Sequence, residues 1–142
     1  MTPSGTPHVT RAEDETRDLA ANLARSLPPG AVVLLEGELG AGKTVFVKGL
    51  AAGLGLDPAD VTSPTFALVH EYGVSGGAPV LVHADLYRIP VGASIADLGL
   101  DDRGSAILAV EWPGPPLTSE RAWRVSIALG EGGARTITIA AP

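Results

Sequence analysis

Eight residues, Gly37-Glu-Leu-Gly40-Ala-Gly42-Lys43-Thr44, match the pattern G-x-x-x-x-G-K-[ST] at every fixed position. Glycines at these spacings permit backbone torsions that aim successive N–H groups at one phosphate. A helix opening at the end of the loop adds the positive end of its dipole. In such a loop the lysine reaches the β- and γ-phosphates, and the Thr44 hydroxyl ligates Mg2+. Gly37, Leu39, Gly40, Ala41, Gly42, Lys43, Thr44 and Val45 are therefore the expected nucleotide-binding run, with Mg2+ as cofactor and a nucleoside triphosphate as substrate.

A site of this kind also needs a carboxylate for the water shell of the metal. The apolar stretch Val80-Leu-Val-His-Ala-Asp85 ends in one, which is expected beside Thr44. Glu111 ends the apolar run Ala106–Val110 in the same way, so both acids are expected on the sheet edge that carries the loop. Glu111 could orient water, act as a base or join the second shell of the metal; a plain strand-end surface carboxylate is the alternative. Lys43, Asp85 and Glu111 are thus the candidate catalytic groups, and Thr44, Asp85 and Glu111 the candidate metal groups.

Other polar residues near these positions have two readings each. Glu36 and Glu38 are expected to be solvated or capping groups. Arg88 could pair with a γ-phosphate or bridge a neighbouring acid. His83 alternates with Asp85 on one strand face, and a hydrogen-bonded structural role is expected for it rather than base catalysis. Trp112 reads as a core aromatic or as a wall of the nucleotide cleft.

Absent residues narrow the chemistry. Guanine-specific NTPases read the base with Asn-Lys-x-Asp, and neither Lys43 nor Lys48, the only lysines, has Asp two positions later. Adenine held by apolar contacts is the expected base. The chain contains no Gln, so no glutamine can orient the attacking water, and unaided hydrolysis should be slow.

These groups must be positioned by a small domain. The chain has 142 residues and a net charge of −6, from 10 Lys plus Arg against 16 Asp plus Glu. One domain over 1–142 is expected, and its acidity argues against a chain that grips nucleic acid alone. There is no cysteine, which excludes disulfides, a thiol nucleophile and thiolate metal sites. No signal peptide or membrane-spanning run is visible, so a soluble cytoplasmic protein is expected.

Residues 1–8 are expected to be a disordered lead. Thr10-Arg-Ala-Glu13 fits a capping box that opens a helix to about Leu27, with Leu19, Leu23 and Leu27 along one face. Ala31–Leu35 reads as a strand buried on both faces, and Gly42–Leu54 as the helix after the loop. Phe66–Tyr72 and Pro79–Asp85 read as strands joined by the turn at 73–77, Ile95–Leu98 as a short helix, and Ile107–Val110 as a buried strand. Val125–Leu129 and Thr136–Ala140 flank a Gly-rich turn, as a terminal hairpin does. The class is α/β, a P-loop NTPase-type three-layer sandwich with a mixed sheet: a parallel core, antiparallel strands and a C-terminal hairpin.

Four segments in this order, Gly37–Thr44, Thr62-Ser-Pro-Thr-Phe66, His83-Ala-Asp-Leu-Tyr-Arg88 and Glu111-Trp-Pro113, resemble the TsaE family. These are bacterial P-loop ATPases of tRNA threonylcarbamoyladenosine synthesis, and the resemblance spans about residues 10–140. It implies ATP and Mg2+ binding, weak hydrolysis alone, and work with TsaB and TsaD. Those partners transfer the threonylcarbamoyl group to adenosine 37 of tRNA. It further implies that Thr65 lies in a switch-like loop near the γ-phosphate and that Asp85 is the Walker B-type acid. Glu111 with Trp112 completes the catalytic edge, and Thr16 lies near the nucleotide. The chain departs from the family pattern at Val45, Ala84 and Gly114, where relatives commonly carry a second Thr, an aromatic and an acid. Two rival readings use the same loop. A small-molecule kinase would need an Arg-rich lid, yet only Arg88 and Arg103 lie between Asp85 and Glu111. A non-catalytic ATP-sensing module would need binding alone.

Overall fold

The computed structural model describes residues 6–37, 42–61, 69–73, 79–85, 104–111 and 122–142. The chain runs β1 (Thr6–Thr10), α1 (Glu13–Ser26), β2 (Val32–Gly37), α2 (Lys43–Gly53), β3 (Val69–Tyr72), β4 (Leu81–Asp85), β5 (Ile107–Glu111), β6 (Ala122–Leu129) and β7 (Arg135–Ala140). One seven-stranded sheet has the order β1-β7-β6-β2-β5-β4-β3. Its centre, β6-β2-β5-β4, is parallel, while β7 and β3 pair antiparallel on either side and β1 pairs antiparallel with β7. The α/β class and the mixed sheet are as expected.

The central strands are apolar without alternation because both their faces are covered. Val32 to Leu35 and all of β5 are buried, whereas β6 reaches solvent at alternate positions in its second half and β7 is mostly half-buried. Val33, Leu35, Leu81, Ile107, Ala109, Val125, Ile127 and Ile137 form one core with Ala20, Leu23 and Ala24 of α1 and Phe46, Val47, Leu50 and Ala51 of α2. Residues between them on the strands, including Val32, Leu34, Val82, Leu108 and Val110, form a second buried cluster that contains no residue of α1 or α2. Both described helices therefore cover one face. Among the described residues no helix is long and apolar enough to cross a membrane.

Two expectations near the N-terminus fail. Residues 6–8 are not a loose lead: Thr6–Thr10 is a strand whose ladder with β7 runs from Thr6↔Ile139 to Thr10↔Arg135. For that reason Thr10 does not cap α1. Its backbone is committed to the sheet, the N-cap is Ala12, and no side chain caps it. The Thr10 hydroxyl instead meets the Thr16 hydroxyl at 2.7 Å in a buried contact. Glu15 takes the reciprocal role expected of Glu13, accepting a hydrogen bond from the Arg11 N–H at 3.1 Å. Glu13, Asp14 and Glu15 place negative charge on the positive end of the helix dipole. Ile95–Leu98 and residues 66–68 lie outside the described residues.

The two helices approach closely through glycines. A Cβ on Gly49 would lie 2.6 Å from the Ala20 Cβ and 2.8 Å from the Arg17 Cα. One on Gly53 would lie 2.5 Å from the Ala21 carbonyl oxygen. Much of that obstruction is backbone, so relief requires the helices to separate and strip contacts from the core beneath. Gly49→Ala is expected to lower the unfolding free energy by about 1–2 kcal/mol, the overpacking cost exceeding the helix-propensity gain. Urea titration checks this; a variant as stable as the parent would show that the two helices do not depend on this approach.

Candidate functional site

The register of the sheet assembles the site. β2, β4 and β5 run parallel and end at Gly37, Asp85 and Glu111, so all three ends reach the same edge. Leu35 is level with Glu111, and Glu111 with Asp85. Paired positions point to the same face, so both carboxylates lie on the helix-covered face. β5 separates β4 from β2, so Glu111 stands on the strand beside the loop strand and Asp85 one strand further out.

The loop joins β2 to α2. Gly42, the N-cap of α2, has φ +110°, a left-handed torsion that suits glycine and turns the chain into the helix. Lys43 is 5% exposed, and its Nζ donates to the Gly37 carbonyl at 2.7 Å. The ammonium thus ties the end of β2 to the start of α2 and lies along the loop rather than in solvent. Thr44 and Val45, on the first turn of α2, are half-buried. Glu38, Leu39, Gly40 and Ala41, the middle of the expected phosphate loop, lie outside the described residues. So do Thr65, Arg88, Arg103, Trp112 and Gly114.

Glu111 is not a surface carboxylate. It is 5% exposed, and its Oε2 lies 2.6 Å from Nε2 of the fully buried His83. The hydrogen bond expected of a structural His83 is present; that its partner is Glu111 follows only from the β4–β5 register. Glu36 is half-buried and lies 3.5 Å from Arg124 on β6, a partly exposed pair.

On the other side of the loop lies a cavity of about 290 Å³. Its walls are Arg11, Ala12, Glu13 and Thr16 from the start of α1, Gly42 and Val45 from the start of α2, and Gly133 and Arg135 from the β6–β7 hairpin. Thr16 is 4% exposed and braced by Thr10. Arg135 donates to the Gly133 carbonyl at 2.7 Å. The size suits one nucleoside-sized group. Among the described residues its wall is more polar than an apolar adenine site, with two arginines and a glutamate. Of these walls, sequence reasoning singled out Thr16, Gly42 and Val45 for the site, but not Arg11, Ala12, Glu13, Gly133 and Arg135. No local pattern marks those five as neighbours of the loop, which the β1–α1 junction and a hairpin bring together.

In sheet order the loop strand β2 stands between β7, whose Arg135 borders the cavity, and β5 and β4, which carry the acids. Thr44 at the start of α2 and Asp85 and Glu111 at the strand ends offer a hydroxyl and two carboxylates, oxygen donors of the kind a hard cation takes. Mg2+ bound with a phosphate ligand characteristically takes such a small set and keeps several waters.

Comparison with known proteins adds an independent line. Residues 10–137 match the family model described as Threonylcarbamoyl adenosine biosynthesis protein TsaE. A protein of Aquifex aeolicus named tRNA threonylcarbamoyladenosine biosynthesis protein TsaE is 44% identical over 106 residues, covering 73% of this chain and 74% of that one. The protein of the same name from Treponema pallidum is 39% identical over 137 residues, covering 93% of this chain and 98% of its own. Among solved structures, the crystal structure of Bacillus subtilis YdiB matches with a TM-score of 0.72 at 32% identity, covering 99% of this chain and 87% of that one.

Proposed function

We propose a function from one premise: this chain belongs to the TsaE family of threonylcarbamoyl adenosine biosynthesis proteins. On our reading it is a P-loop ATPase that binds ATP with Mg2+ and hydrolyses it slowly alone. It acts with TsaB and TsaD homologues in threonylcarbamoylation of tRNA adenosine 37, without catalysing the transfer itself. The observation that carries the ATPase reading is the Lys43 Nζ bond to the Gly37 carbonyl at 2.7 Å, at the end of a strand whose Leu35 is level with two carboxylates.

The roles follow from that arrangement. The loop N–H groups and Lys43 grip the β- and γ-phosphates, and the helix dipole of α2 adds to the field. Thr44 and Asp85 would hold Mg2+, with Glu111 on the neighbouring strand as a further oxygen donor. When bound, that ion neutralises charge on the phosphate oxygens. Glu111, with Oε2 committed to His83, presents Oε1 to orient the attacking water or take its proton. The nucleoside extends into the cavity beside Thr16 and Val45. A net charge of −6 fits a protein that leaves the grip on tRNA to its partners.

The deciding assay is ATP hydrolysis with and without purified TsaB and TsaD homologues. Turnover is expected to rise with the partners and to lose that stimulation in Asp85→Ala. Transfer of phosphate to a metabolite would sink the reading in favour of a kinase. ATP binding without turnover, even with the partners present, would leave a nucleotide sensor.

A further inference from the structure

We propose that His83 is the positioning residue for Glu111, holding one carboxylate oxygen so that the other faces the nucleotide. This rests on the reading that Glu111 acts on ATP. His83 is fully buried, on the helix-covered face of β4, and its Nε2 lies 2.6 Å from Glu111 Oε2. The register places Ala109, not a larger residue, directly opposite His83, and Asp85 opposite Glu111. A methyl group at 109 leaves the imidazole room to lean along β5 to the carboxylate two residues further on.

The second ring nitrogen settles how the contact is made. Among the described residues, Nδ1 of His83 is buried without a hydrogen-bond partner. A hydrogen on Nδ1 would be a buried donor with no acceptor, a costly state, whereas a bare lone pair there is less so. The pattern therefore assigns the hydrogen-bonding N–H to Nε2, donating to the Glu111 carboxyl group. A ring kept only for packing is better served by an apolar side chain, which leaves no orphaned nitrogen. What the histidine adds is one directed N–H that stops the carboxylate from rotating. Glu111 then keeps a fixed Oε1 at the strand end, beside the loop that holds the phosphates.

The test is ATP turnover with saturating partner complex, read as kcat and KM for His83→Leu, His83→Gln, Glu111→Ala and the double variant His83→Leu/Glu111→Ala. His83→Leu is expected to lower kcat by about 10–100-fold, the usual effect of freeing a supported ligand or base. KM for ATP should stay unchanged, because Lys43 and the loop hold the phosphates. His83→Gln, whose amide N–H can replace Nε2–H, should recover most of the rate. In the Glu111→Ala background, His83→Leu should cost nothing further. An equal loss in both backgrounds, a loss carried by KM, or no rescue by Gln would overturn the positioning role. If Glu111→Ala keeps the parent rate, the role of Glu111 itself falls, and this proposal with it. Should the leucine variant not fold, His83→Phe keeps the ring volume without the donor and is read in the same way.

Discussion

Lys43→Ala is expected to abolish productive ATP use, lowering kcat/KM by about 10²–10³-fold, as removal of one preorganised donor to a developing anion does. The ammonium has a second task visible in the structure. It is nearly buried, and its bond to the Gly37 carbonyl joins the last residue of β2 to the first turn of α2. On the proposed reading, truncation therefore removes a phosphate ligand and also the tie between β2 and α2. The fold itself should tolerate the change, since one hydrogen bond contributes only about 0.5–1.5 kcal/mol net. Calorimetric titration with ATP and a thermal melt separate the two effects. An arginine does not substitute, because its planar fork cannot place a point charge where the lysine does. Unchanged ATP affinity and turnover in Lys43→Ala would end the phosphate-loop reading.

Glu111→Gln should cut partner-stimulated turnover by about 10²–10⁴-fold, the range assigned to a positioned general base. ATP binding should change little. The substitution is a sharp one because the amide keeps the shape of the side chain, and its oxygen can still accept from His83 Nε2 at the 2.6 Å contact. The charge is lost, and the outward position carries an NH2 donor where the carboxylate had a basic oxygen. Turnover by quenched flow and binding by fluorescent nucleotide displacement measure the two quantities separately. Parallel losses in both would make Glu111 a structural group of the β4–β5 edge rather than a catalytic one.

The readable part of this molecule is the part governed by short-range rules. Ala31–Leu35 announces a doubly covered strand because five consecutive apolar residues leave no polar face, and the loop announces itself because phosphate geometry demands glycine at fixed spacings. The acids Asp85 and Glu111 were legible as strand ends for the same reason. Pairing was not. Nothing local says that β5 inserts between β2 and β4, so nothing local says that Glu111 is the nearer acid or that His83 reaches it across 28 positions of sequence. The misread capping box has a similar cause. Thr10 and Glu13 satisfy the spacing rule, but the tertiary pairing of Thr10 with Arg135 claims the backbone first. Polar cavity walls such as Arg11 and Arg135 escape notice because each is an ordinary surface cation until a hairpin brings them together.

The ladder between β1 and β7 joins the earliest described strand to the last one. During synthesis the phosphate loop and α2 leave the ribosome long before Arg135 exists, yet the cavity beside that loop needs Arg11, Thr16 and Arg135 together. A growing chain thus carries the loop early and the complete pocket only at the end, when the most distant contact in the sheet closes. By mass action, any nucleotide seated in that pocket favours the closed ladder over one with β1 peeled away. ATP would in this way favour chains in which β7 is made and paired, and a product that stops before β7 but has an intact loop would be poor at holding it.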